Sequence, residues 1–280
     1  MSPTPFAELV TGARSAGRAV GAFNVVLLEH AEAMVAGAER AGLPVVLQIS
    51  ENCVRYHGDL TPITTATLAL ARSADVPVLV HLDHVTDEDL VTRGLDLGVS
   101  SVMFDASALP FAENVARTRE VADRCRAAGV GCEAELGEVG GKDGVHAPGA
   151  RTVPAEAAEF VAATGVDALA VAVGTSHAMQ TRDASVDLDL VGELAAAVPV
   201  PLVLHGSSGL SDEQLRAATA AGMTKVNIAT HLNGVFTAAV RQVLTEQPAV
   251  TDPRKYVAAG RTAVRDETAR LLSLLAGTDR

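Results

Sequence analysis

Three of the chain's eight histidines each follow a short apolar run: VLVHLD leads into His84, VAVGTS into His177 and PLVL into His205. A neutral imidazole binds zinc through either ring nitrogen, and three imidazoles with an open fourth position describe a catalytic zinc site. A lone histidine is more often a hydrogen-bonded or surface residue, so the weight lies in three of them sharing one kind of position. Asp83 immediately precedes His84. Beside a metal, a carboxylate can carry a proton to or from a bound molecule, or it can orient a ligand from behind. Two strings of small residues, HGSSG at 205–209 and NIAT at 227–230, offer backbone N–H groups that an oxyanion can approach closely. Such strings also occur in ordinary tight turns, so their meaning depends on the elements around them.

Those elements are legible in the periodicity. Short β-branched runs alternate with Ala/Leu/Glu/Arg-rich stretches of helical period, the pattern of repeated strand–helix units and a parallel sheet. Runs at 21–26, 44–50, 77–83, 101–105, 130–136, 168–174, 201–205 and 225–230 are read as eight strands. Helices follow, for example at 29–41, 88–97, 112–128 and 212–221, with Gly42, Gly98, Gly129 and Gly222 standing where they should stop. Eight units favour a closed α/β TIM (β/α)8 barrel over an open doubly wound sheet, and no GxGxxG follows the first run to support a dinucleotide fold.

In such a barrel the active site lies at the carboxyl ends of the strands. That rim collects Asn24, Gln48, Ser50, Asp83, His84, Asp105, Glu133, Glu135, His205, Asn227 and Thr230, with His177 just past the sixth strand. The three histidines therefore converge. HGSSG and NIAT follow strands seven and eight, where barrels commonly hold phosphate. Asn24 and Ser50 are candidate substrate contacts on the same rim.

The stretch 137–151, GEVGGKDGVHAPGAR, is aperiodic and glycine-rich, the composition of a lid after strand five. From Asp252 an additional amphipathic helix runs past the eighth unit, either closing the barrel bottom or making an oligomer contact. A length of 280 residues with 48% hydrophobic content suits one barrel domain over 1–280. The 34 acidic against 22 basic residues give a net charge of −12, which leaves no electrostatic footprint for nucleic acid or an anionic membrane. Cys53, Cys125 and Cys132 form no CxxC pair, and neither a signal-like start nor a membrane-spanning apolar run is present. The expectation is a soluble, cytoplasmic protein with reduced thiols.

In the same order over nearly the whole chain, GAFNV, VHLDH, EAELGEVGG, VGTSH, LVLHGSSG, KVNIAT and DPRKY resemble the motifs of the class II fructose-bisphosphate and tagatose-bisphosphate aldolases. The compact length looks more like the tagatose-bisphosphate or short ketose-bisphosphate branch. The resemblance implies a zinc-dependent carbon–carbon lyase of carbohydrate metabolism. Its substrate would be a ketose 1,6-bisphosphate of fructose or tagatose type, cleaved reversibly to dihydroxyacetone phosphate and glyceraldehyde 3-phosphate. His84, His177 and His205 would hold one zinc ion per chain, and Asp83 would be the proton donor. Gly206, Ser207, Ser208, Asn227, Ala229 and Thr230 would contact dihydroxyacetone phosphate. A monovalent cation is left open as a second ion, and the chain is expected to form a homodimer or homotetramer. The resemblance also implies that Arg254, in DPRKY, reaches the far phosphate from a neighbouring subunit, a task suited to its planar fork. The alternative for Arg254 is a surface ion pair at a helix start.

Three positions depart from the family pattern. Ala178 follows the second zinc histidine in place of the common Gly and would tighten a phosphate contact. The loop after EAELG reads Gly140, Gly141, Lys142, Asp143 where a GGxED-like string usually supplies a mobile carboxylate, so Asp143, one methylene shorter, is the candidate base. His231 follows NIAT where an acidic residue is common, in a region expected to touch substrate. These departures keep two alternatives open: an aldolase for another phosphorylated ketose, and a non-catalytic sugar-phosphate-binding protein on the same scaffold. A Schiff-base aldolase needs an active-site lysine. The chain's lysines are Lys142, Lys225 and Lys255, with Lys225 at the wrong end of strand eight, and no HExxH supports a zinc hydrolase.

Overall fold

The computed structural model describes residues 5–137, 151–175 and 185–278. Its strands are β1 (Val20–Asn24), β2 (Val45–Ser50), β3 (Val78–Val85), β4 (Ser101–Phe104), β5 (Gly131–Leu136), β6 (Ala168–Val171), β7 (Leu202–Leu204) and β8 (Met223–Ile228). They pair in parallel in chain order, and β8 pairs with β1 to close an eight-stranded barrel. The helices outside it are α2 (Leu28–Ala41), α3 (Glu51–His57), α4 (Thr61–Ser73), α5 (Glu88–Leu97), α6 (Phe111–Ala128), α7 (Pro154–Thr164), α8 (Leu188–Ala197), α9 (Asp212–Ala221) and α10 (Thr230–Glu246). Two more helices, α1 (Phe6–Ser15) and α11 (Pro253–Ala276), precede and follow the repeating units. The barrel and its C-terminal helix match the expected architecture. Among the described residues, no helix is long and apolar enough to cross a membrane.

The local reasons are ordinary ones. Helix α5 starts where the Asp87 side chain accepts a hydrogen bond from the Asp89 amide, and it stops at Gly98, whose φ of 85° lies in the left-handed region that a Cβ disfavours. One face of every strand meets helices in a continuous apolar layer of Val, Leu, Ile and Ala. The opposite face fills the barrel. Small residues such as Ala22, Ala168 and Ala170 lie there with Val46, Leu79, Met103 and Val203. Closer to the mouth the interior turns polar, because Gln48, Asp83, Glu133, Glu135, His205 and Asn227 are all buried.

The C-terminal helix does not close the bottom. It runs along α2 and α10 on the outside of the barrel, and its last turn meets the residue just before β1, where the Ala19 amide donates to the Leu275 carbonyl at 3.0 Å. The bottom is covered by α1, an element absent from the sequence reading. Its Phe6 ring stacks on His81 inside the barrel, with centroids 5.8 Å apart.

Candidate active site

In a regular strand, neighbouring side chains point to opposite faces, so Asp83 and His84 would not both face the barrel mouth. Strand β3 departs from that rule. Its register with β4 shifts between Leu82 and Val85, and His84 adopts a φ of 50°, inside the left-handed region. A bulge of this kind re-aims a side chain, and holding a non-glycine residue there costs about 1–3 kcal/mol, which the surrounding packing must offset. Asp83 and His84 consequently line one cavity.

The second histidine comes from the far side of the barrel. His205 follows β7, and its Nδ1 lies 2.9 Å from Nε2 of His84. The other nitrogen of each ring is held by a carboxylate. His84 Nδ1 is 2.8 Å from Asp105 Oδ2, and His205 Nε2 is 3.3 Å from Glu133 Oε1, with the Asn227 amide 3.1 Å from the same nitrogen. Hydrogen bonds from the outward nitrogens fix ring orientation and leave the inward nitrogens as lone-pair donors, which is the usual support of a metal-binding imidazole. Two nitrogens bound to zinc at about 2.0–2.1 Å would stand about 3.3 Å apart at the tetrahedral angle. The observed 2.9 Å is within half an ångström of that spacing. Asp83, His84 and His205 also present ligand atoms within 4.8 Å of one another, as do His84, Asp105 and Glu135. The residues present therefore fit a divalent metal ion with nitrogen and carboxylate ligands.

Beneath the histidines lies a buried ion pair. Lys225 Nζ is 2.9 Å from Glu133 Oε2, and both side chains are fully buried. A buried lysine is tolerable only when paired, and here its partner is the carboxylate that also holds His205. Lys225 does not line the cavity. His81, one layer down, is pushed to about 3 by burial and by Lys225, so its ring is neutral. Burial on its own would raise the Asp83 carboxyl, but positive charge around it, from His84 and His205 when they are protonated and from Lys225, outweighs burial and holds Asp83 below the usual carboxylate range. Oδ2 of Asp83 accepts a hydrogen bond from Asn24 Nδ2 at 2.9 Å, whereas Oδ1 is buried with no hydrogen-bond partner among the described residues.

The cavity has a volume of about 400 Å³. Its wall on the β7 and β8 side is formed by Gly206, Ser207, Ser208, Asn227, Ala229 and Thr230. Gly206 takes a left-handed φ of 67° and leads into a single 3-10 turn, Ser207–Gly209, while Thr230 opens the 17-residue helix α10. Small side chains, a tight turn and a helix N-terminus make this wall suitable for an oxyanion without any lysine or arginine.

A family model described as class-II fructose-bisphosphate aldolase matches residues 4–280. The chain belongs to the class II fructose-bisphosphate aldolase family. Its similarity to solved members extends end to end. The YdjI aldolase from Escherichia coli K12 is 31% identical with a TM-score of 0.86, the alignment covering 99% of this chain and 98% of that one. A candidate fructose-1,6-biphosphate aldolase from Coccidioides immitis is 28% identical with a TM-score of 0.88, again over 99% and 98%. A fructose-bisphosphate aldolase from Campylobacter jejuni shares the fold at a TM-score of 0.78 and 22% identity, over 97% and 95%.

Within this class II family member, most candidate residues named from sequence come to one place. Asn24, Ser50, Asp83, His84 and His205 line the cavity together with the small-residue wall. His177, Ala178 and Asp143 lie outside the described residues. Arg254 does not line the cavity. It sits at the start of α11, its side chain 89% exposed, where it pairs with Asp252 at 2.8 Å. His231 does not touch the cavity either, contrary to expectation. Its Nε2 meets Glu267 Oε1 of α11 at 2.6 Å, which ties the first turn of α10 to the neighbouring helix. Four lining residues escaped the sequence reading: Glu51, Asn52, Arg55 and Thr86. The available signal was Ser50, which ends β2 and directly caps α3 by accepting from the Cys53 amide, so a helix begins at the rim with no intervening loop.

Proposed function

We propose that this chain, as one barrel domain over 1–280, is a zinc-dependent aldolase. It would reversibly cleave a ketose 1,6-bisphosphate of fructose or tagatose type into dihydroxyacetone phosphate and glyceraldehyde 3-phosphate. The observation that carries this reading is Asp83. One of its oxygens is pinned by Asn24 and the other is buried without a partner among the described residues, beside two facing imidazoles and across from a wall of backbone donors.

In this reading His84, His205 and His177 hold the zinc, and Asp105 and Glu133 keep the rings of His84 and His205 aligned from behind. Zinc, when bound, supplies positive charge to the ketose carbonyl oxygen and stabilises the charge left by carbon–carbon cleavage. Asp83 Oδ1 accepts the proton of the hydroxyl on the carbon being released, so that this carbon leaves as an aldehyde while the electron pair of the broken bond stays with the ketone half. Asn24 keeps the carboxylate from rotating away. Gly206, Ser207, Ser208, Ala229 and Thr230 hold the phosphate of the ketone half, and Asn227 contacts the same half. Asp143 protonates that half in cleavage and acts as base in the reverse direction. Arg254 reaches the far phosphate from a neighbouring subunit of a homo-oligomer. The test is a coupled assay for triose phosphate release over a panel of ketose bisphosphates and monophosphates. Cleavage of a fructose- or tagatose-type bisphosphate is the expected result, and failure with every phosphorylated ketose would remove the proposal.

A further inference from the structure

We infer that Arg55, from within the same chain, is a second contact to an anionic group at the far end of the substrate's aldehyde half, beside the one proposed for Arg254 of a neighbouring subunit. This inference rests on the aldolase reading above and deepens it. Around the closed barrel the cavity wall has an order. The small-residue turns follow β7 and β8, the two imidazoles and Asp83 come from β7 and β3, and α3 follows β2, which pairs with β3 on the side of Asp83. Ser50 is the register partner of Asp83. If the ketone phosphate occupies the β7–β8 wall and Asp83 touches the first carbon of the aldehyde half, the rest of that half extends toward Ser50 and α3.

Arg55 stands at that end. It is the one arginine or lysine among the described residues lining the cavity, in a chain whose net charge is −12. Its guanidinium is held rather than free: Nη2 donates to Glu51 Oε1, and Nη1 donates to Asn52 Oδ1 at 3.1 Å. A guanidinium carries five N–H donors in a rigid fork, so these two bonds leave three for a ligand. Glu51 does not cancel the site, because its carboxylate also accepts the Thr86 amide at 2.7 Å, the Asp87 amide at 3.3 Å and the Thr86 hydroxyl. A carboxylate so engaged with backbone donors works as a fixed bracket for the arginine. The partner chemistry is a phosphate or a carboxylate, since either accepts two parallel bonds from the fork.

The competing account is a helix-surface ion pair between Glu51 and Arg55, four residues apart, with no role in recognition. Kinetics separate the two. The wild type, Arg55→Gln and Arg55→Lys are assayed on three ketose 1-phosphates of equal chain length whose far end carries phosphate, carboxylate or a neutral hydroxymethyl group. The inference predicts that wild type prefers at least one anionic substrate, and that Arg55→Gln lowers the anionic-to-neutral ratio of kcat/KM about ten- to a hundredfold, the loss of a charged hydrogen bond. Arg55→Lys should keep part of that ratio. Whichever anionic substrate shows the larger change identifies the group read. An unchanged ratio in Arg55→Gln, with or without a lower Tm, overturns the inference and leaves the ion pair. Failure of wild type to cleave any of the three overturns the aldolase reading itself, a different outcome from cleavage without anion preference.

Discussion

In the proposed mechanism the chemistry turns on Asp83, whose two oxygens have separable jobs. Asp83→Asn keeps the hydrogen-bonding shape but removes the basic oxygen, so zinc content should persist while kcat falls about a hundredfold or more. A variant with normal kcat and weakened substrate affinity would make Asp83 a binding group. The outward partners of the imidazoles give a second expectation. Asp105 Oδ2 holds His84 Nδ1 at 2.8 Å, and Asp105→Asn should weaken zinc binding about 10–100-fold in a chelator-competition titration, the usual effect of removing such a partner. Unchanged affinity would show that His84 is oriented by packing alone. At this scale the sequence was informative because chemistry-bearing residue types stood at strand ends. It could not show that Asp83 and His84 face the same way, since strict alternation forbids it and the bulge has no glycine or proline to announce it. Nor could it show that Lys225 and Glu133 neutralise each other within the barrel, because they are 92 residues apart.

Among elements, the seam between α2 and α11 decides how the C-terminal helix is seated. A Cβ on Gly37 would lie 2.6 Å from the Arg265 carbonyl oxygen and 2.7 Å from Thr268 Cβ. Backbone cannot step aside as a side-chain tip can, so Gly37→Ala should destabilise by about 1–3 kcal/mol and lower Tm by roughly 2 °C or more. An unshifted Tm would mean that the two helices separate freely. The link from α10 to α11 should be pH-sensitive. Burial tends to raise Glu267, but hydrogen bonds from Arg270 and His231 outweigh it and bring it to about 2. A carboxyl depressed on folding stabilises the native state above its ordinary value of about 4.3, and that contribution is lost as pH falls toward its folded value. The stability advantage of wild type over Glu267→Gln in urea titrations should therefore be largest at pH 6 and shrink by pH 3. A difference that does not vary with pH would mean that Glu267 contributes by shape alone. Repeating units were legible from their periodicity, down to α5 and α9, whose bounds match expectation. Helix α1 was not, because a first helix outside the repeat has no strand before it to frame it. Helix α3 is two turns long with no loop before it, and Arg55 was overlooked with it.

For the whole molecule, an acidic barrel would have to concentrate its attraction locally in order to handle the phosphate esters proposed as substrates. The β7–β8 wall offers backbone donors and a helix end for this, and the protein's net charge of −12 would then be no obstacle. Arg254 belongs to this scale, because a side chain 89% exposed and outside its own cavity could reach a substrate only from a neighbouring subunit. If it reaches a partner's cavity, Arg254→Ala should lower kcat/KM for a ketose bisphosphate by the equivalent of about 1–3 kcal/mol relative to a monophosphate. Equal losses on both substrates would return Arg254 to its pair with Asp252. In the proposed mechanism a metal held by His84, His177 and His205 and a proton acceptor at Asp83 together cleave a ketose bisphosphate. The most direct measurement follows triose phosphate release from fructose and tagatose 1,6-bisphosphates by one preparation, first as purified, then after chelation and dialysis, then after stoichiometric zinc is restored. Cleavage of at least one is expected, lost on chelation and recovered with about one zinc per chain. Cleavage that survives complete removal of metal would contradict the mechanism.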